Sequence, residues 1–214
     1  GEVFTNPSEE LCKQYRAVIA EERELAKGLS ALSNLPCETL DGVRMPLWVN
    51  TGLLADVVRA QERGAEGVGL YRTEVPFMIR DRFPSEKEQL AIYREQLKSF
   101  HPLPVTMRTL DIGGDKDMPY LPISEDNPFL DWRGIRITLD HPEIFLVQIR
   151  AMLKASEGLD NLRILLRRSS GLGEREESVH LILCAWSGVR DEGVDIGMPP
   201  VGVMIEVPAA VYQI

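Results

Sequence analysis

The fold class is decided by the stretch Pro104-Val-Thr-Met-Arg-Thr-Leu-Asp-Ile-Gly-Gly-Asp-Lys116. Its first four residues form an apolar run that predicts a short buried strand, and Arg108 follows where that strand ends. The glycine pair Gly113-Gly114 allows the backbone to turn tightly and to approach a ligand closely. Charged side chains at the carboxyl end of a buried strand are typical of the active-site edge of a β/α barrel.

Two other apolar runs end in the same way. Arg72 follows the run Gly67-Val-Gly-Leu-Tyr71, and Glu206 follows the run Pro200-Val-Gly-Val-Met-Ile205. Because parallel strands bring their carboxyl ends to one edge of a sheet, we predict that Arg72, Arg108 and Glu206 face a single cavity. Two guanidinium groups and a carboxylate in such a cavity indicate a phosphorylated anion that is bound together with a divalent metal.

Composition and charge exclude several classes of function. The chain has 214 residues, of which 44% are hydrophobic, and this is enough for one well-packed core. No apolar run approaches the roughly 20 residues needed to cross a bilayer, so we expect no membrane segment. A net charge of −9 argues against a nucleic-acid-binding surface. The three cysteines are odd in number and far apart, which is typical of free thiols in a reducing cytoplasm.

The hydrophobic periodicity divides the chain into two expected domains. Residues 1–42 form a helical segment outside the barrel, because apolar residues recur there at helical spacing. These residues are Leu11, Tyr15, Val18, Leu25, Leu29 and Leu32. Residues 43–214 alternate between strands and helices, and a capping box at Ser85-Glu-Lys-Glu88 starts one of the helices. The predicted strands are 47–49, 67–71, 104–108, 161–166 and 200–206. The buried face of the last long helix is predicted to consist of Val179, Ile182, Leu183, Trp186 and Val189.

Four motifs in this order resemble one known family. They are Gly67-Val-Gly-Leu-Tyr-Arg-Thr-Glu74, Arg108-Thr-Leu-Asp-Ile-Gly-Gly-Asp-Lys116, Asn127-Pro-Phe-Leu-Asp-Trp-Arg-Gly-Ile-Arg136 and Gly202-Val-Met-Ile-Glu-Val-Pro-Ala209. Together they resemble the phosphoenolpyruvate (PEP)-binding domain of enzyme I, the phosphoenolpyruvate–protein phosphotransferase of the bacterial phosphotransferase system. The segment Val75-Pro-Phe-Met-Ile-Arg-Asp-Arg-Phe83 is more similar to the nitrogen-related branch of this family than to the sugar-transport branch.

The resemblance implies a TIM-type (β/α)8 barrel preceded by a linker helix, and this chain supplies about five of the eight strands. It implies that the intact enzyme transfers a phosphoryl group from PEP to a histidine in a separate domain, and then to a histidine-containing phosphocarrier protein. A homodimer of the full enzyme and a cytoplasmic location are implied as well. We expect the truncated chain to have no phosphotransferase activity by itself, because none of His101, His141 and His180 lies in the required sequence setting.

The resemblance also implies which residues bind ligands. Arg72, Arg108, Arg133 and Lys116 are expected to bind the substrate, Glu206 is expected to bind Mg²⁺, and no catalytic side chain is expected in this chain. The residues themselves leave alternatives open. Each arginine can instead pair with a neighbouring carboxylate, Glu206 can form a buried salt bridge to one of the arginines, and Lys116 can lie in solvent.

One segment departs from the family pattern. The family usually has proline and methionine after the strand that ends at Leu166, but this chain has Arg167-Arg168-Ser169-Ser170. These arginines can add to the anion site, or they can reflect ordinary divergence or an error in the sequence. Two other functions also stay open: the PEP-binding domain of a pyruvate-phosphate dikinase or PEP synthase, and a non-catalytic interaction module.

Overall fold

The computed structural model describes residues 3–32, 35–53, 55–111, 141–167 and 172–212. The chain forms two compact units, Gly1–Pro46 and Leu47–Ile214. In the first unit, helix α1 (Glu9–Leu32) begins after Ser8, whose hydroxyl oxygen accepts a hydrogen bond from the Leu11 backbone N–H at 3.2 Å. The assignment of this unit as a linker helix stays a prediction.

The described residues of the second unit form five parallel strands, each paired with the next one along the chain. The strands are β1 (Val49–Thr51), β2 (Val68–Arg72), β3 (Val105–Arg108), β4 (Leu162–Leu166) and β5 (Val201–Val203). The helices are α2 (Ala55–Glu62), α3 (Val75–Met78), α4 (Glu86–Phe100), α5 (Pro142–Ala155), α6 (Leu172–Asp191) and α7 (Pro208–Tyr212). The predicted α/β class is confirmed, and the sheet corresponds to part of a TIM-type barrel. Within the described ranges β1 and β5 do not pair, so the barrel is not closed.

The core lies between the centre of the sheet and helices α4 and α5. Tyr93, Leu97 and Phe100 of α4 are buried, as are Val105 and Met107 of β3. Burying a large apolar side chain stabilises the fold by about 1.5–3 kcal/mol, so these contacts anchor the middle strands firmly. The loops that leave the carboxyl ends of the strands therefore start from a well-packed base.

The predicted capping box starts helix α4. The Ser85 hydroxyl oxygen accepts a hydrogen bond from the Glu88 backbone N–H at 3.4 Å, and Glu88 Oε2 accepts one from the Ser85 backbone N–H at 2.9 Å. These bonds satisfy backbone donors near the start of the helix that would otherwise lack an intrahelical partner. The sequence prediction of this helix start is confirmed.

The predicted buried face of α6 is wrong at two positions. Val179 and Leu183 are 37% and 44% exposed, whereas Ile182 between them is buried. The buried stripe instead includes the small residues Ser178 and Ala185. Ser178 can be buried because its hydroxyl donates a hydrogen bond to the carbonyl one turn earlier at 2.8 Å. Small residues let the helix approach the core closely, and a pattern based on large apolar residues alone does not detect them.

Candidate functional site

The carboxyl ends of β2 to β5 lie at one edge of the sheet. Arg72, the last residue of β2, is paired in register with Arg108, the last residue of β3. Arg167 follows directly after β4, and Glu206 follows shortly after β5. Since all these strands are parallel, four neighbouring strands each bring a charged residue to the same edge.

Arg108 is buried and is held by two carboxylates. Only 5% of the residue is exposed, and its Nη2 donates to Glu74 Oε1 at 2.5 Å and to Asp111 Oδ2 at 3.5 Å. Glu74 and Asp111 are themselves buried. A buried charge is tolerated only when it is paired, because removal from water is costly. Arg108 Nε is also buried and has no hydrogen-bond partner among the described residues, so the guanidinium retains an unused donor.

Arg167 extends this set of ion pairs to the end of β5. Its Nη1 contacts Asp111 Oδ2, and its Nε donates to Glu206 Oε1 at 3.2 Å. The side chain of Arg167 is 11% exposed and that of Glu206 is 21% exposed. An unbroken series of ion pairs thus crosses the edge of the sheet. We call these residues the strand-end cluster: Glu74, Arg108, Asp111, Arg167 and Glu206.

Arg72 lies at the same edge in a different environment. It is exposed and, in the part of the chain that the structure describes, makes no hydrogen bond or ion pair through its side chain. It lines a depression of about 290 Å³ at the end of β1. The other lining residues are Asn50, Thr51, Gly52, Leu53 and Val75. Arg72 is therefore a cation that is accessible to a dissolved anion.

A buried hydrogen-bond network supports the backbone around Arg108. The Thr73 hydroxyl donates to the Arg108 carbonyl at 2.8 Å, and Gln148 Oε1 accepts from the Leu110 backbone N–H at 2.8 Å. Gln148 Nε2 donates to the Thr73 hydroxyl at 3.2 Å and to the Tyr93 hydroxyl at 3.1 Å. Burial raises the pKa of Tyr93 far above its usual value, so this hydroxyl stays protonated. Gln148 was not predicted from the sequence, although a glutamine within an apolar helical run could have indicated it.

The structure brings only some of the predicted site residues together. Arg108 and Glu206 belong to one series of ion pairs, in which Arg108 contacts Glu74 and Asp111 and Glu206 contacts Arg167. Arg72 shares their edge, but the described lining of its depression includes neither of them. Lys116 and Arg133 lie outside the described residues, and their expected roles stay predictions.

Two observations bear on the predicted metal and on membrane insertion. Across the described ranges, no group of three or more His, Cys, Asp or Glu side chains is arranged to hold a metal ion. Among the helices of those same ranges, none combines the length and apolar character needed to cross a membrane.

Comparison with known proteins agrees with the motifs. Residues 26–214 match the sequence profile of the family described as PEP-utilising enzyme, PEP-binding domain. The chain is 46% identical, over its whole length, to a protein of Escherichia coli (strain K12) named Phosphoenolpyruvate-dependent phosphotransferase system, of which it covers 29%. It is 38% identical, over 98% of its length, to a Phosphoenolpyruvate-protein phosphotransferase of Priestia megaterium, of which it covers 37%.

A protein of the same name from Staphylococcus carnosus (strain TM300) is 37% identical over 98% of the chain. The chain spans about a third of the length of these relatives, between 29% and 37%. The family match includes all five strands and the whole strand-end cluster. The chain therefore belongs to the family of PEP-utilising enzymes and represents their PEP-binding domain.

Proposed function

We propose that the edge formed by Arg72 and the strand-end cluster binds PEP in a phosphoenolpyruvate–protein phosphotransferase. In that reaction the phosphoryl group of PEP passes to a histidine of the enzyme and then to a histidine-containing carrier protein. The observation that carries the proposal is the buried Arg108, which is paired in register with the accessible Arg72.

The chemistry of phosphoryl transfer fits these two arginines. The protein contributes mainly by positioning the phosphoryl group and by balancing the charge on its oxygens. A guanidinium suits this task because it stays protonated and offers several donors in a planar fork. PEP carries two anionic groups, a phosphate and a carboxylate, and at this edge Arg72 and Arg108 each have donors available for an anion. Arg108 is oriented in advance by Glu74 and has a spare Nε donor, while Arg72 is open to an arriving ligand.

Glu206 is the residue that we propose as a ligand for Mg²⁺. Its donor chemistry fits, because hard divalent cations prefer carboxylate oxygens and because this carboxylate already lies against a cationic group, Arg167. When bound, Mg²⁺ would balance negative charge on the phosphoryl oxygens. The protein's own residues would bind the substrate and fix its orientation: Arg72 and Arg108, and by the family resemblance Arg133 and Lys116.

The remaining features of the proposal concern the larger protein. The names of the relatives favour a phosphotransferase over a dikinase or a PEP synthase. We include in the proposal the carrier protein as partner, a homodimer, a cytoplasmic location and membership of the nitrogen-related branch. The resemblance of the 75–83 segment supports the branch assignment.

Titration calorimetry of the purified protein with PEP and Mg²⁺ tests the substrate site. We expect Arg72→Ala to weaken PEP binding at least about tenfold, because a hydrogen bond between charged groups contributes about 1.5–3 kcal/mol. The control is Arg63→Ala, which removes the same charge from an exposed position after α2, before β2 begins. Equal PEP affinity in the two variants would overturn the proposal, since it would leave only a nonspecific effect of net charge.

A further inference from the structure

Residues of β2, α3 and α4 line a second depression, which has a volume of about 230 Å³. We call it the α4 depression. Gly52 and Leu53, which follow β1, line both this depression and the one that Arg72 lines, so the two lie side by side. We propose that the α4 depression binds a small organic cation, a primary ammonium group on a short apolar body.

The wall of the α4 depression is largely apolar. Leu53, Pro76, Ile79 and Ile92 contribute to it, and Leu53 and Ile79 are exposed. A ligand with a hydrocarbon chain would remove this apolar surface from water, which is favourable. The volume holds roughly seven non-hydrogen atoms if each takes about 30 Å³, as a water molecule does in the liquid. The depression therefore fits a short hydrocarbon chain with one polar group, in the mostly apolar surroundings typical of small-molecule sites.

Two buried polar side chains of the α4 depression lack hydrogen-bond partners. Tyr71 and Gln96 are each 1% exposed, and neither side chain makes a hydrogen bond within the described ranges. A buried polar group without a partner costs stability, and a ligand that supplies the missing bond would explain why it is kept. Burial, and to a smaller extent the charges of Glu74 and Glu95, raises the pKa of the Tyr71 hydroxyl, so this group stays protonated.

Glu95 determines the charge that the ligand must carry. Its side chain is exposed and makes no ion pair in the described chain, and its charge acts on the Tyr71 hydroxyl. Arg80 also lines the depression, but its Nη1 already donates to Glu88 Oε1 at 2.9 Å. An ammonium group has three N–H donors, which a carboxylate and a neighbouring amide oxygen can accept. An anion such as PEP would instead be repelled by Glu95.

Titration of the purified protein with n-butylammonium, without PEP, tests the site. Protein NMR follows the Gln96 side-chain amide and the Gly52 backbone amide, because both residues line the depression. We expect saturable shifts with a dissociation constant of about 1–10 mM, which is reasonable for so small a ligand. 1-Butanol has the same number of non-hydrogen atoms but no charge, and butyrate has the opposite charge. Each should bind at least about tenfold more weakly.

Variants identify the groups that bind the cation. Glu95→Gln keeps the size of the side chain but removes its charge, and we expect n-butylammonium to bind at least about tenfold more weakly. The matched control is Glu62→Gln, because Glu62 is exposed on α2 and makes no ion pair among the described residues. It should change the affinity less than about twofold. Gln96→Leu removes the amide but keeps a similar volume, so it should weaken binding about two- to tenfold.

Several outcomes would overturn the inference. One is equal n-butylammonium affinity in Glu95→Gln and Glu62→Gln, and another is 1-butanol or butyrate that binds as tightly as n-butylammonium. Shifts that leave both the Gln96 and the Gly52 amides unaffected would also overturn it. So would the lack of saturation at about ten times the expected dissociation constant. Because no PEP is present, failure here is distinguishable from failure of the proposed substrate site.

Discussion

The strand-end cluster and the ion pairs between the helices use the same types of side chain in different surroundings. The second set, which we call the helix-layer cluster, consists of Glu86 on α4, Arg150 and Lys154 on α5, and Glu192 directly after α6. Its side chains are 20–45% exposed, whereas those of the strand-end cluster are 0–21% exposed. The two clusters thus differ mainly in how much water they retain.

The difference indicates what each cluster is for. In the helix-layer cluster two acids face two bases, and each base contacts both acids, so the charges are balanced while the desolvation cost is small. In the strand-end cluster the ion pairs are buried, and the Nε donor of Arg108 remains unused in the described structure. Such an arrangement is a poor way to gain stability. This agrees with the proposed role of the strand-end cluster in binding PEP.

The largest expected effect is the loss of stability when an arginine is removed from the strand-end cluster, compared with the same change in the helix-layer cluster. Arg108→Met leaves Glu74 and Asp111 buried without this cation, and we expect it to lower the free energy of unfolding by about 3–5 kcal/mol. Arg150→Met should cost about 1 kcal/mol or less, because its partners are partly exposed and Lys154 still contacts both of them. Urea unfolding measures both values.

A double variant separates the contribution of the Arg108–Glu74 ion pair to stability from that of the residues around it. Arg108→Met combined with Glu74→Met should recover part of the stability lost in Arg108→Met alone, because a buried carboxylate that has lost its contact with Arg108 is then removed as well. Equal losses for Arg108→Met and Arg150→Met would show that burial does not distinguish the clusters. A double variant that is less stable than Arg108→Met would mean that Glu74 has a stabilising role independent of Arg108.

A smaller effect is expected from removing the support of the strand-end cluster without changing a charge. Gln148→Leu leaves the buried Leu110 N–H without an acceptor, which costs about 1–3 kcal/mol. It also removes a donor to the Thr73 hydroxyl, which keeps its bond to the Arg108 carbonyl. PEP affinity should fall as well, because Gln148 no longer holds Leu110 and Thr73, the residues that fix the backbone at Arg108. Urea unfolding and calorimetry provide the two measurements.

Gln96→Leu is the matched control for this prediction. Gln96 is also a buried glutamine, on α4, but its Oε1 has no hydrogen-bond partner among the described residues. Replacing it should therefore be neutral or stabilising, and it should leave PEP affinity unchanged. A stability loss in Gln96→Leu as large as that in Gln148→Leu would attribute both effects to packing volume and not to the network.

The sequence predicted the local elements of the fold better than the long-range contacts of the strand-end cluster, for physical reasons. The strand ending at Arg108 and the capping box at Ser85 depend on neighbouring residues, so local patterns were sufficient. The pairing of Arg108 with Glu74 joins residues 34 positions apart, and the Gln148–Leu110 bond spans 38 positions. Such contacts follow from strand register and helix packing, which no local pattern contains. The charge at position 167 was visible in the sequence, but its two partners were not.

The smallest expected effect is a loss of stability at low pH, which we predict from the carboxylates of the helix-layer cluster. The hydrogen bond from Lys154, followed by that from Arg150, holds the pKa of Glu192 below its usual value. Burial raises the pKa of Glu86, but hydrogen bonds from Lys154 and Arg150 outweigh it, so that the net pKa is lowered. A carboxyl group with a lowered folded pKa stabilises the protein above its unfolded pKa of 4.5. This contribution is lost as the pH falls through the folded pKa.

The acid prediction is tested with Glu192→Gln, which cannot lose a charge at low pH. We expect the urea midpoint of the wild type to fall between about pH 5 and about pH 3, and we expect that fall to be smaller in the variant. Glu176→Gln is the control, since Glu176 is exposed on α6 and makes no ion pair in the described chain. It should keep the wild-type pH dependence. If Glu192→Gln also keeps the wild-type pH dependence, other carboxylates cause the loss of stability in acid. Those of the strand-end cluster would then be the next to test, and the division between a stabilising cluster and a ligand-binding cluster would lose its support.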